Sequence, residues 1–254
     1  MSVIDELRAI LQDEVGVSPG EWDALFANFA TDAGMNDVMR ADWYAASRAD
    51  EGQVRQYYVD SKMWHVNTFN HGAAVLAALA EGAPVPVADW HQEFARLADP
   101  GGAVLDYGGG FFKDTAALAQ LGYRVVQAEI AGPVTRFLTR VIAEWGIPRV
   151  CVLPVVSDRP DFGPPGSLAG VVCFEVLEHV IDPVGLAAHM VQALRPGAPF
   201  MHSVSFGAPE HAPYHVASNA PLSVHGVWDG HLRAMGLAPH WGDAGTHARM
   251  WVKL

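Results

Sequence analysis

The sequence predicts an α/β protein: a doubly wound, largely parallel sheet with a helical segment in front of it. Three observations carry that reading. From residue 103 onward, near-continuous apolar runs alternate with stretches at helical spacing, as expected of strands covered on both faces. Residues 104–114, "VLDYGGGFFKD", set three glycines where an apolar run gives way to a helix, a sharp strand-to-helix turn. Residues 1–98 instead read as helices separated by turn signals.

The elements follow in order. "SVIDELRAILQDEV" repeats apolar positions at Ile4, Leu7, Leu11 and Val15. "SPGEWDALFANFA" opens with a capping-box pattern, Ser18 to Glu21, with Pro19 at the first helical position. Trp22, Leu25, Phe26 and Phe29 then mark one helix face. A third helical region runs through "VRQYYVDSKMWHVNTFNHGAAVLAALA", and the prolines of "EGAPVPVAD" break it before a short helix, "WHQEFARLA". Beyond residue 103, "AVLDYG", "YRVVQAEI", "RVCVLPVV", "LAGVVCFEV", "APFMHSVSF" and "ARMWVKL" read as strands. The helices between them end at Gly122, Gly146 and Gly197, and the one over "DPVGLAAHMVQALRPG" starts with Asp182 as cap and Pro183 next. "LSVHGVWDGHLRAMG" is the last helix expected.

At 254 residues, half of them hydrophobic, the chain suits one large domain or a core domain with an attached subdomain. A net charge of −12 without a Lys or Arg run argues against a nucleic-acid or anionic-membrane partner and fits a neutral or cationic small molecule. Cys151 and Cys173 lie in apolar strand-like runs and are expected to be buried, inert thiols. The N-terminus reads as an amphipathic helix and not as a signal peptide, and no apolar run is long enough to cross a bilayer, so a cytoplasmic protein is expected.

A doubly wound sheet binds its ligand beyond the carboxyl ends of its strands. Glu129 ends the second strand, 23 positions after Asp106, where a carboxylate can accept from both hydroxyls of a ribose. A nucleoside-containing cofactor is implied. For a dinucleotide, G-x-G-x-x-G is wanted, but Lys113 stands at the third glycine position, and Asp106 would face the pyrophosphate. A cationic sulfonium and amino group are better neighbours for that carboxylate, which favours S-adenosylmethionine.

"VLDYGGG" and "CFEVLEHVIDP", with Glu129 between them, resemble the motifs of class I S-adenosylmethionine-dependent methyltransferases of the ubiquinone and menaquinone type. The resemblance covers about residues 103–205. It implies a seven-stranded sheet whose last strand is antiparallel. It also implies roles: Asp106, Gly108 and Gly110 at the methionine part, Glu129 with adjoining Ile130 at the ribose, and Asp158 at the adenine. Phe174 and Glu175 would flank the cofactor. One departure is Phe112, which stands where the family usually has a further glycine.

Methyl transfer needs alignment and sometimes a base. The region after the fifth strand carries His211, Tyr214 and His215, the candidates for removing a proton. His179 of "LEHV" matches a family position near the active site that often only supports the loop. His202, His211 and His215 fit no compact ligand set, so no metal is expected. In the helical segment, Tyr57, Tyr58, Trp64 and His65 form a dense aromatic set, with Tyr58 and Trp64 placed to hold a sulfonium by cation–π attraction.

The chain thus divides, as an expectation, into a helical cap (1–98) and a cofactor-binding domain (99–254). The expected activity is methyl transfer from S-adenosylmethionine to oxygen or nitrogen of a small metabolite, with a homodimer as the candidate assembly. Two alternatives stay open. One keeps the cofactor but transfers the aminocarboxypropyl arm or cyclises it, releasing methylthioadenosine; the other is a non-catalytic nucleoside-binding partner subunit.

Overall fold

The computed structural model describes residues 2–27, 54–157, 159–207, 215–242 and 248–254. Seven strands form one sheet: β1 (Ala103–Tyr107), β2 (Arg124–Ile130), β3 (Val150–Val155), β4 (Leu168–Phe174), β5 (Pro199–Ser203), β6 (Leu237–Trp241) and β7 (Ala248–Lys253). Their order is β3-β2-β1-β4-β5-β7-β6. The first five run parallel, and β7 lies antiparallel between β5 and β6. Strand order reverses between β1 and β4, which makes their carboxyl ends the switch point.

Sequence reading did not find β6. Its "LAPHW" is short and contains Pro239, which cannot donate to a ladder and so suits an edge strand. β6 is indeed an edge, and its pairing to β7 is irregular between Pro239 and Trp241.

Helices α1 (Val3–Val15), α2 (Pro19–Ala27), α3 (Val54–Asp60), α4 (Lys62–Ala80) and α5 (Asp89–Leu97) precede the sheet. Helices α6 (Lys113–Gln120), α7 (Pro133–Trp145), α8 (Pro183–Ala193) and α9 (Val227–Ala234) connect its strands. The period-two pattern of the central strands serves both faces. Leu105, Val171, Cys173 and Phe200 pack with α8 and α9, whereas Val104, Val172 and Met201 pack with Phe94 of α5 and Leu118 of α6.

The N-terminal helices share a core with the sheet's own. Leu7 and Leu11 of α1 and Phe69 and Leu76 of α4 form one apolar cluster with Ala116 of α6 and Phe137 and Leu138 of α7. Close approach of α4 depends on Gly72, where a Cβ would stand 2.3 Å from the carbonyl oxygen of Phe111. The buried face of α1 is Leu7, Ile10 and Leu11, and Ile4 is exposed. The capping box at Ser18 forms, with Glu21 N donating to Ser18 Oγ at 3.3 Å. Trp22 is buried and Phe26 half-exposed, while Phe29 lies outside the described residues.

The single helical region expected through residues 54–80 is two helices. Ser61 separates them in extended backbone and caps α4 by accepting from Trp64 N at 3.1 Å. Cys173 is buried as expected, but Cys151 is exposed, because β3 is the other edge of the sheet. Among the described residues no helix is long and apolar enough to cross a membrane.

Candidate active site

A cleft enclosing about 1120 Å³, part of it open to solvent, lies over the carboxyl ends of β1, β2, β3 and β4. Its floor is the turn from β1 into α6. Gly108 (φ +72°) donates its N–H to Ala128 O at 2.7 Å, and a Cβ on it would meet Val176 Cγ2 at 2.3 Å. Glycine therefore lets the loop after β4 close on the loop after β1. Gly110 also lines the cleft, and Gln127 Nε2 donates to its carbonyl at 2.6 Å.

Glu129 ends β2 on the cleft wall, with Ile130 beside it. Its carboxylate accepts from Gly110 N (3.1 Å) and Ile130 N (2.8 Å). Burial raises its pKa above the usual range, and those two donors pull it back down.

Asp106, expected beside the methionine part, is not on the cleft surface. It is 2% exposed and turned beneath the glycine turn, where Thr115 Oγ1 of α6 donates to it at 2.6 Å. Burial, and then the charge of Asp114, push its pKa up to about 7. A carboxyl there ties β1 to the first turn of α6 instead of meeting a ligand.

Phe174 is a further correction. Strand alternation sends its ring to the opposite face, against Trp90 at 4.9 Å. Glu175, next in sequence, lines the cleft in a left-handed conformation (φ +52°) and accepts from Ser205 Oγ at 3.3 Å. Phe112 (φ +66°) is fully buried in the cluster of α1, α4, α6 and α7, away from the cleft. Asp158 lies outside the described residues.

The cleft also has an aromatic wall. Tyr58 of α3 and Trp64 of α4 meet edge to face at 4.6 Å between centroids, and both line the cleft. Tyr58 Oη hydrogen-bonds His179 Nδ1 at 2.7 Å, and the His179 ring stands 4.8 Å from that of His215. Of the three proposed bases, His215 is thus brought to the site, whereas His211 and Tyr214 lie outside the described residues. Two bonds place His215 there: Val216 N donates to Glu178 O (2.9 Å), and Asn219 Nδ2 donates to Val180 O (2.7 Å). Burial lowers the His215 pKa, partly offset by Glu175, so the ring is neutral near pH 7.

Glu178 sits behind the imidazoles, 1% exposed, and accepts from Ser205 N at 3.3 Å. Burial and the Glu175 charge push its pKa up to about 8. Glu178, His179 and His215 each bring one donor atom within 4.8 Å of the others, a spacing that a cation could also use. Sequence reasoning noted His179 near the active site without choosing it and passed over Glu178, although the motif "EVLEH" contains both. It missed Arg55 too, which lines the cleft and donates to the carbonyl oxygen of Val155.

Comparison with known proteins gives the family. Residues 79–252, more than half the chain, match the family model described as a methyltransferase domain. The chain belongs to the class I S-adenosylmethionine-dependent methyltransferases. A ubiquinone biosynthesis O-methyltransferase of Xanthomonas campestris pv. campestris is 33% identical over 103 residues, 41% of this chain and 43% of that protein. The chain therefore matches less than half the length of that relative. Two solved structures resemble it at lower identity. A SAM-dependent methyltransferase from Aquifex aeolicus has a TM-score of 0.48 at 15% identity, covering 63% of this chain and 85% of that one. An O-methyltransferase family 2 protein from Planctomyces limnophilus has a TM-score of 0.48 at 17% identity, covering 82% and 63%.

The family's cofactor is S-adenosylmethionine, and the residues present fit it. The glycine turn offers bare backbone at the cleft floor, and Glu129 presents a carboxylate at the end of β2. The aromatic walls of Tyr58 and Trp64 suit a cationic group.

Proposed function

We propose that this protein methylates an oxygen or nitrogen of a small metabolite. The observation that carries the reading is a single cleft that holds the glycine turn, the Glu129 carboxylate and the His179 imidazole, with the His215 ring packed on His179. Bound in the cleft, S-adenosylmethionine supplies an activated methyl group on a sulfonium. Glu129 accepts from the ribose hydroxyls, and Gly108 and Gly110 leave room for close approach of the main chain. Val59, Val176, Val180 and Ile181 give the acceptor an apolar wall and keep water from the reacting atoms. The helices of residues 1–98 act as a cap, with Tyr58 and Trp64 facing the sulfonium.

The reading in which another arm of the cofactor is transferred, or the cofactor is cyclised, drew on Phe112 narrowing the methionine end and on the aromatic cluster of the N-terminal helices. With Phe112 in the core the first ground lapses, and the aromatic cluster at the cleft fits either chemistry. The test is the by-product formed when purified protein, cofactor and a panel of hydroxylated and amine acceptors are incubated together. S-adenosylhomocysteine supports methyl transfer. Methylthioadenosine, or cofactor binding with no by-product on any acceptor, overturns it.

A further inference from the structure

We infer that Gln127 is a positioning residue for the cofactor: it clamps Gly110, and through Gly110 it holds the Glu129 carboxylate oriented for the ribose hydroxyls. The inference rests on the reading of Glu129 as the ribose acceptor given above. Gln127 interrupts the apolar run "VVQA" of β2 and lies outside both the glycine turn and the "EVLEH" motif.

An amide is destabilising at that place. Gln127 is 0% exposed, and a buried polar group costs stability unless its atoms are paired. Its Nε2 donates to Gly110 O at 2.6 Å, while its Oε1 has no hydrogen-bond partner among the described residues. An apolar side chain of equal length fills the same space without leaving that oxygen unpaired. What the amide adds is the bond to Gly110.

That bond completes a clamp. Gln127 and Glu129 are two positions apart on β2 and so project from one face of the sheet. Glu129 holds the peptide on the amino side of Gly110, accepting from Gly110 N at 3.1 Å, and Gln127 holds the peptide on its carboxyl side. Both peptide planes of Gly110, whose φ is +53°, are thereby tied to β2. Gln127 is also in register with Asp106 of β1, which lies under Gly109: a Cβ on Gly109 would stand 2.5 Å from Asp106 Oδ2. The glycine turn is thus seated on two buried side chains, one from each strand. The clamp acts on Glu129 in return. With Ile130 N on Oε1 at 2.8 Å and Gly110 N on Oε2, each carboxylate oxygen has one fixed donor and a lone pair left for a ribose hydroxyl. If Gly110 swings free, Oε2 loses the donor that orients it.

The test is calorimetric binding of S-adenosylhomocysteine and of its 2′-deoxy and 3′-deoxy counterparts to the full chain and to Gln127→Met, which keeps the length and removes the donor. The wild type should bind each deoxy ligand about tenfold more weakly than the parent compound. In Gln127→Met the parent should weaken about tenfold, and the penalty for a missing hydroxyl should shrink to about twofold. A side chain that only supports the fold would weaken all three ligands alike, so an unchanged penalty overturns the inference. Gln127→Asn, whose amide is one methylene too short for the bond, is measured in the same way if Gln127→Met does not fold. In the wild type itself the Gln127 side-chain amide should exchange slowly with solvent, and a fast-exchanging amide overturns the inference without any variant. A wild type indifferent to both hydroxyls removes Glu129 from the ribose, and the inference falls with that reading. If the protein forms no S-adenosylhomocysteine on any acceptor, methyl transfer fails, while the binding ratios still decide the role of Gln127.

Discussion

Replacing His202 by leucine should flatten the acid limb of the protein's stability curve. His202 lies on β5, 1% exposed, between Phe200 (5.6 Å) and Trp228 (6.0 Å). Neither ring nitrogen has a hydrogen-bond partner among the described residues. Nearby, Arg249 grips Asp229 with two bonds of 2.6 and 2.8 Å. Burial, and then the Arg249 charge, push the His202 pKa down from 6.5 to about 3, with Asp229 pulling the other way. A pKa depressed in the folded state contributes stability that is present above 6.5 and lost as pH falls toward 3. Linkage between those two values gives a loss of about 2 kcal/mol by pH 5 from this group alone. His202→Leu removes the titration and a pair of unsatisfied buried atoms at similar volume. Urea unfolding of both proteins at about pH 7.5 and pH 5 should show the variant gaining about 2 kcal/mol on the wild type at the lower pH. A difference independent of pH would mean that the ring is hydrated or paired when folded, and the burial argument would be wrong.

Other outcomes follow from the site. Glu129→Ala should weaken S-adenosylmethionine by about 1.5–3 kcal/mol per charged hydrogen bond lost, and unchanged affinity in calorimetry would remove Glu129 from the ribose. Gly108→Ala should destabilise by about 1–3 kcal/mol, since the new Cβ meets Val176 at 2.3 Å at a φ of +72°; an unshifted thermal midpoint counts against the tight turn. Asp106 has a pKa raised to about 7, so its contribution is present below 3.8 and lost as pH rises through 7. Asp106→Asn should therefore gain on the wild type between pH 5 and pH 8, and a constant difference would place the carboxyl in contact with water or a cation.

The parallel core of the sheet was legible because its strands are apolar on both faces, a pattern that few other environments produce. The glycine turn was legible because close backbone approach needs glycine, and the place of Glu129 on the cleft wall because it ends β2 beside the switch point. What escaped reading was orientation. Asp106 and Phe174 flank the switch point in sequence, yet pleat and helix packing turn the first under the floor and the second to the far face. Cys151 escaped for a related reason: an apolar run does not say whether its strand is central or at the edge, and β3 is an edge. The pairing of Tyr58 with His179 joins residues 121 positions apart, and no local pattern encodes it.

The division of α4 explains why an N-terminal helix can serve both stability and site. Its later turns bury Phe69, Ala73 and Leu76 in the core shared with α1, α6 and α7. Its first turns present Trp64, His65 and Thr68 to the cleft. Ser61 caps it where α3 ends, and His65 hydrogen-bonds back to Val59 O at 3.0 Å, so Tyr58 is held relative to that rigid base. A side chain on a helix anchored at its far end is more closely placed than one on a loop, and acid–base catalysis needs that placement before it needs a matched pKa. The sheet thus positions Gly108, Gly110 and Glu129, and the helices in front of it position Tyr58 and Trp64 on the same cleft.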